Sequence, residues 1–466
     1  MTLDTTSRFL TQACRCRRAV VVQGAAPGLH NITLRQHLQA AARSALLAVG
    51  LCIAGTAPAQ TLDVMHWWTS ASERQAADQL VAALAAQGLR WQDAAVEGGA
   101  GVAAVKVLKS RVLGGTPPAA AQVIGRTLTD WADLGLVLPL DAVAQRGRWR
   151  QVMFPTVLQV VSYRQHLIAA PLGIHRINSL LYQRRLFERL GIGVPRTWDE
   201  LETAATKLRA AGVRPLAWSD EGWQVATVFE SLLLAEAGPA LYRELVQARQ
   251  PQAWLDPRVA QALERLRWLR ALNGPAPRQE LNWIDGVRQL NDQRAGLLLN
   301  GDWARGELLS MNDGADDSFG CMAVPGTAGM HLYSLDTLAM LVGRENRTAV
   351  QEKAADVLTS PATQRAYNRL KGAVPVRSDI DPAGLDACGR ESWTTFADPR
   401  TERVPSLAHR MAADEATKDA IADVVVRYLL NPATSARDAQ RRLAGVVKAM
   451  QGPAPGAGTG TGNRTP

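Results

Sequence analysis

Short apolar runs alternate with helical periodicity over residues 61–172, the pattern of an α/β lobe. Residues 62–65 predict a first strand, and 73–87 a helix closed by Gly88. Val102, Val105, Leu108, Val112 and Leu113 fall on one stripe at helical spacing and predict a helix over 102–112. Lys109 falls inside that stripe, where an ammonium either snorkels to water or meets a partner. The run from Gly114 to Pro118 breaks the helix. Residues 119–124 predict a buried strand with Gln122 as its polar exception, and 130–136 a short helix. Residues 167–173 read as a crossing between lobes, and 179–190 as a helix stopped by Gly191. Thr197-Trp198-Asp199-Glu200 opens the next helix with a capping box. The chain is then mostly helical to the apolar stretch 295–299, which runs into Asn300-Gly301-Asp302-Trp303. Residues 321–326 and 334–339 are extended, 370–377 is another crossing, and helices run to Met450. The Gly/Pro/Thr-rich end reads as disordered.

At 466 residues the chain exceeds one ordinary core, which predicts two domains or lobes. Its 47% hydrophobic and 20% charged content is that of a folded soluble protein. Of the formal charge of +9, most belongs to residues 1–60, which hold six Arg and one acid. What remains is too dilute to argue for nucleic acid or an acidic membrane surface. Thirteen Trp against six Phe and six Tyr is an excess of large planar rings. Two of them stand in His66-Trp67-Trp68-Thr69-Ser70-Ala71-Ser72-Glu73, at the exit of the first strand. Neighbouring strand side chains point to opposite faces, which lets one ring enter a cleft or face solvent. An indole beside Ser and Glu suits a sugar, whose C–H face lies on the ring while polar groups take the hydroxyls. Plain core packing accounts for the pair equally well.

Arg43, an apolar run over 44–55 and the ending Ala57-Pro58-Ala59 make a secretory signal. The run is short for a bilayer span, and no later stretch reads as one. Cys14, Cys16 and Cys52 leave with this leader; Cys321 and Cys388 remain as an even pair, read as a disulfide in an oxidising compartment. Two distant thiols without matched His make no metal site. The phosphate-loop, zinc-helix and nucleophile-elbow motifs are absent from the sequence. Forty-three acids leave a paired-carboxylate glycosidase open.

Six segments carry a resemblance. They are His66-Trp67-Trp68-Thr69-Ser70 with Glu73, Val107-Leu108-Lys109-Ser110-Arg111, Ile174-His175-Arg176-Ile177-Asn178, Gly301-Asp302-Trp303-Ala304, Lys371-Gly372-Ala373-Val374-Pro375-Val376-Arg377 and Pro405-Ser406-Leu407-Ala408-His409. In this order they resemble the extracellular solute-binding proteins of carbohydrate ABC transporters, most closely the periplasmic glucose/mannose-binding subgroup, over residues 61–450. The resemblance implies an α/β, two-lobed periplasmic-binding-protein fold (type II) with a sugar cleft at the hinge. Residues 1–60 would be an extension and signal peptide, and 453–466 a disordered tail. One lobe would hold 61–172 plus 335–380, the other 173–334 plus 381–452.

The resemblance also implies site residues. Trp67 and Trp68 would stack on the sugar, Glu73 would be the acidic position, and Lys109 and Lys371 cleft ammonium donors. Asp302 would accept two hydroxyls at once, an arrangement suited to vicinal diols. His409 would be a cleft imidazole, with Gln122, His175, Trp223 and Asp336 as weaker candidates. Bland readings stand beside these: Ser70 and Glu73 satisfy a capping box, Asp302 an N-cap, and Lys371 a solvated turn. Ser70-Ala71-Ser72 replaces a more Gly-rich turn, and Ala217-Trp218-Ser219-Asp220 stands where the family tends to have His and Gly. The cysteine pair fits the subgroup, where a bond within one lobe leaves the hinge free. The implied protein is a periplasmic monomer that needs no cofactor. It binds a monosaccharide, glucose or mannose, and hands it to a membrane permease driven by a separate ATPase. A secreted carbohydrate-active enzyme using paired acids such as Glu73 and Asp302, or a sugar sensor for a membrane receptor, are the alternatives.

Overall fold

A computed structural model describes residues 60–274, 281–343 and 347–451. The expected leader and the expected disordered tail lie outside these described residues. The strands begin with β1 (Gln60–His66), β2 (Leu89–Ala95) and β3 (Ala120–Gln122), followed by the small pair β4 (Ser162–Tyr163) and β5 (His166–Leu167). Next come β6 (Ala170–Arg176), β7 (Ser179–Gln183), β8 (Arg214–Leu216), β9 (Ala295–Asn300) and β10 (Phe319–Ala323). β11 (Met330–Met340) and β12 (Glu402–Pro405) complete the set among the described residues.

These strands form two main sheets. The larger has six strands in the order β12-β11-β3-β1-β2, with β6 also paired to β11; the smaller runs β10-β7-β9-β8. β1 is parallel to both β2 and β3, and its burial on both faces explains the near-continuous apolar run Leu62, Val64, Met65. Each sheet has its own core. Leu62, Leu80, Leu172, Ile174 and Leu335 belong to the first. Ile177, Leu181, Phe229, Leu297 and Leu332 belong to the second. The chain is therefore an α/β fold of two lobes.

The crossings are sharply defined. Ile174 lies in the first core and Ile177 in the second, so the chain changes lobe at His175-Arg176. β11 does the same between Leu332 and Tyr333. Asn178, wholly buried, ties the two crossings: its amide donates to Thr327 Oγ1 (3.0 Å) and to the Met330 carbonyl (3.1 Å), and its Oδ1 accepts from Leu332 N–H (3.0 Å). A direct tie also joins the lobes, where Ser72 N–H and Oγ donate to Glu307 Oε1 at 3.1 and 2.6 Å.

The structure departs from the sequence reading in three places. Residues 179–190 predict one helix, but 179–183 form β7, and only Arg184–Arg189 is helical. β7 lies between β9 and β10, so Leu180 and Leu181 are buried on opposite faces and carry no helical stripe. Second, the stretch after 381 does not sit with the second lobe alone. Leu385 and Phe396 pack in the first core, Cys388 packs in the second, and β12 joins the larger sheet. Phe396 meets Phe154 and His331 edge-on, at ring separations of 5.2 and 4.9 Å. The Cys321–Cys388 disulfide, with Cα atoms 5.8 Å apart, thus joins β10 of the second lobe to a helix anchored on the first. Third, Gly222–Val246 is long and apolar enough to cross a membrane, yet 72% of its apolar window is buried within the fold. It is the central helix of the second core, broken at Gly238-Pro239.

Candidate functional site

A cavity of about 200 Å³ lies between the lobes. The first lobe supplies Trp67, Thr69, Glu73, the 97–100 segment and Ile124; the second supplies Glu221, Trp223, Trp283, Trp303 and His409. The crossing strands and the 371 corner add His175, Ser334, Asp336 and Lys371.

Trp67 leaves β1 at the carboxyl end of a parallel strand, where α/β sheets open their ligand crevices. Its main-chain N–H donates to Gln122 Oε1 at 3.2 Å, and the half-buried ring lies at the cavity wall. Trp68, one residue on, points the other way. It is fully buried in the first core, 5.1 Å from His66 and 5.7 Å from Tyr367, and does not line the cavity. The expected tandem stack is thus corrected to one ring, because alternation sends the second into the sheet's core.

Glu73 and Lys371 form a buried pair, Nζ to Oε1 3.0 Å, at the cavity edge. The capping box is also present: Glu73 N–H donates to Ser70 Oγ, while Glu73 Oε2 accepts from Ser70 N–H. One carboxylate oxygen of Glu73 thus serves the cap and the other faces Lys371 at the cavity edge. Burial would lower the Lys371 pKa, but Glu73 and Asp336 outweigh it and raise the ammonium above its ordinary value. Lys371 reaches this position because Gly372 takes φ of 80° and packs its backbone against Gly306.

The floor is an ionic chain. His175 Nδ1 lies 2.5 Å from Asp302 Oδ1, and Nε2 lies 3.2 Å from Asp336 Oδ2. Asp336 also accepts from Gln122 Nε2 (3.0 Å) and Tyr367 Oη (3.0 Å). Asp302 accepts from Arg176 N–H at 2.9 Å. Burial pushes His175 down, but the two carboxylates prevail and raise it. Burial likewise pushes Asp336 up, and the His175 charge more than reverses this to hold it well below the carboxylate range. His409 is different: burial and the Arg410 charge lower it to about 3, so it is neutral. Its Nε2 lies 3.1 Å from Thr227 Oγ1, and its ring meets Trp303 edge-on at 5.0 Å.

The cavity wall thus holds Trp67, Glu73, Lys371, His409, His175, Trp223 and Asp336. It does not hold Trp68, Lys109, Asp302 or Gln122. Lys109 is exposed: the inward face of Val102–Leu113 is Ala104, Val105 and Leu108, while Leu113 is 88% exposed. Val112 packs against the first core, whereas Leu113 faces solvent, and taking Leu113 into the stripe tilts it toward Lys109. Asp302 and Gln122 stand behind His175 and Trp67, as their hydrogen-bond partners. Sequence reasoning missed Trp303, Trp283, Glu221 and the 97–100 turn. The tryptophan excess was the available signal for the rings; nothing in the spacing marked the turn.

Flat indoles with a few fixed polar groups make a recognition surface. The carboxylates that a glycosidase would use are paired here, Glu73 with Lys371 and Asp302 with His175.

Known proteins show the same architecture. The sequence profile of bacterial extracellular solute-binding proteins matches residues 69–365. A probable sugar-binding periplasmic protein of Brucella suis biovar 1 is 33% identical over 412 residues, 88% of this chain and 97% of its own. Its counterpart in Rhizobium meliloti is 33% identical over 410 residues, 88% of this chain and 98% of its own. The bacterial solute receptor AcbH, described as exclusive for β-D-galactopyranose, superposes with a TM-score of 0.74 at 16% identity, covering 84% of this chain and 99% of its own. A Thermotoga lettingae solute-binding protein bound to α-D-tagatose gives 0.69 at 18%, covering 84% and 100%. The fold is the type II two-lobed one, and the chain belongs to the bacterial extracellular solute-binding protein family.

Proposed function

We propose that this protein is the periplasmic sugar-binding component of an ABC importer. It binds a monosaccharide, glucose or mannose, between its lobes and presents the closed form to a membrane permease. The observation that carries the reading is the cavity itself: indoles from both lobes, Trp67 on one side and Trp223 and Trp303 on the other, flank a floor of buried ionic groups. At about 200 Å³ the space lies below the ~300–1,000 Å³ of drug-sized sites, which favours a single ring. Relatives described as probable sugar-binding periplasmic proteins, 33% identical along most of their length, support the substrate class and the compartment. No bond is broken in this function. Ligand contacts made with both lobes favour the closed arrangement over the open one. The protein acts as a monomer, and the ATPase meets it only through the permease.

The test is a thermal-shift screen of the purified protein against monosaccharides, disaccharides, amino acids and peptides. A ligand at 100 times its Kd stabilises by about 2.7 kcal/mol. A rise in Tm with glucose or mannose is expected. A rise with amino acids or peptides and with no sugar contradicts the substrate class.

A further inference from the structure

The 98–101 turn lies flat on two indoles. Gly101 faces Trp67, where a Cβ would sit 2.7 Å from Cδ2 and Cε3. Gly99 faces Trp223 of the other lobe, where a Cβ would overlap Nε1 and Cε2. Only a residue without a Cβ brings the main chain this close to a ring face. Between them Ala100 takes φ of 51°, a left-handed value that a non-glycine residue seldom adopts.

The far lobe holds this turn in place. The Ala100 carbonyl accepts from Arg410 Nη1 at 2.7 Å. Arg410 is fully buried and follows His409 of the cavity wall. Glu415 grips its guanidinium through Nε and Nη2, and the Arg410 carbonyl accepts from Arg126 N–H at 2.8 Å. A rigid fork with both ends occupied cannot swing aside as a free side chain would. The turn is a fixed wall, lining the cavity with Gly98, Gly99 and Ala100.

We infer that the 98–101 turn, clamped by Arg410, is a size filter that admits single-ring sugars and rejects oligosaccharides, with Gly99 and Arg410 as its specificity-determining residues. This rests on reading the cavity as a sugar site. A second ring needs an exit beside the first. On this side the exit is filled by main chain, which has no rotamer to move.

Isothermal titration of the wild type, Gly99→Ala and Arg410→Lys with D-glucose, D-mannose, maltose and cellobiose tests it, each variant being checked for a cooperative melt. The wild type should bind a monosaccharide at least about 100-fold more tightly than either disaccharide. Gly99→Ala should weaken the monosaccharide about 10-fold, because its methyl lifts the turn from Trp223. Arg410→Lys keeps the charge but loses the fork, and should raise the disaccharide-to-monosaccharide affinity ratio about 10-fold. A wild type that takes a disaccharide as tightly as a monosaccharide overturns the filter and leaves the sugar site standing. Unchanged ratios in both variants also overturn it. A wild type that binds no sugar removes the filter together with the functional reading.

Discussion

His175 Nδ1 and Asp302 Oδ1 stand 2.5 Å apart across the seam between the lobes. His175 lies next to the end of β6, the strand that leaves the first core, and Asp302 follows β9 of the second sheet. With Asp336 on the other ring nitrogen, the imidazole links the two sheets at the cavity floor. A ring held between two buried carboxylates is favoured in its charged form, which is why His175 is raised despite its burial.

That sign fixes a pH dependence. Raised His175 contributes stability that is fully present below its unfolded pKa of about 6.5 and is lost as pH rises through the folded value. Lowered Asp336 contributes stability present above about 3.9 and lost as pH falls. The wild type should therefore exceed His175→Gln most between about pH 4 and 6.5. Calorimetric Tm measured on both across pH 4–9 checks this; a constant difference over that range contradicts it.

Glu230 makes a second prediction of the same sign, at lower pH. It is fully buried on Gly222–Val246 and accepts from Ser406 Oγ (2.7 Å), Leu407 N–H (2.7 Å), Ala408 N–H (3.1 Å) and Tyr242 Oη (3.2 Å). Burial outweighs these bonds and pushes its carboxyl up to about 7. The unfolded group ionises near 4.5, so native stability falls as pH rises from there through about 7. Relative to Glu230→Gln, the wild type should lose about 3 kcal/mol between pH 4.5 and 8. Denaturant unfolding at the two pH values measures it.

Adjacent tryptophans should separate binding from stability. Trp68→Ala removes a fully buried core ring and should cost about 3–5 kcal/mol of unfolding free energy. Trp67→Ala removes a half-buried ring at the cavity wall, leaving the fold largely intact while sugar affinity falls by about 2 kcal/mol, roughly 30-fold. Chemical denaturation paired with titration distinguishes the two. Equal effects of both variants on affinity would contradict the single-ring assignment.

For Glu73 and Lys371 the informative comparison is a double-mutant cycle. Lys371→Met leaves a buried carboxylate without its cation and should cost about 3–5 kcal/mol. Adding Glu73→Gln removes that charge and should restore most of the loss. Additive single effects would mean that the pair is not coupled.

Much of this architecture was legible from the sequence, and the failures share a cause. The β1 strand, the capping boxes at Ser70 and Thr197 and the β9 strand into Asp302 carry local signals, and the structure has each of them. β7 was misread because a central strand buried on both faces has no alternation to distinguish it from an apolar helix start. Lys109 was misplaced because one extra apolar residue, Leu113, tilted the inferred stripe. Trp68 and Asp302 illustrate a different limit. Sequence brings a residue to the neighbourhood of a site, but whether its side chain faces the opening or the layer behind depends on partners distant in the chain. Here those partners are Tyr367 for Trp68 and His175 for Asp302.

The account stands on one ring being held between indoles of opposite lobes. A crystal structure of the protein grown with the monosaccharide that most raises its Tm tests this most directly. The account predicts a single pyranose in the cavity, one face on Trp67 and its far side toward Trp223 and Trp303, with hydroxyls at Glu73, Lys371 and Asp336. A ligand bound outside this cavity, or within it but touching only one lobe, would contradict it.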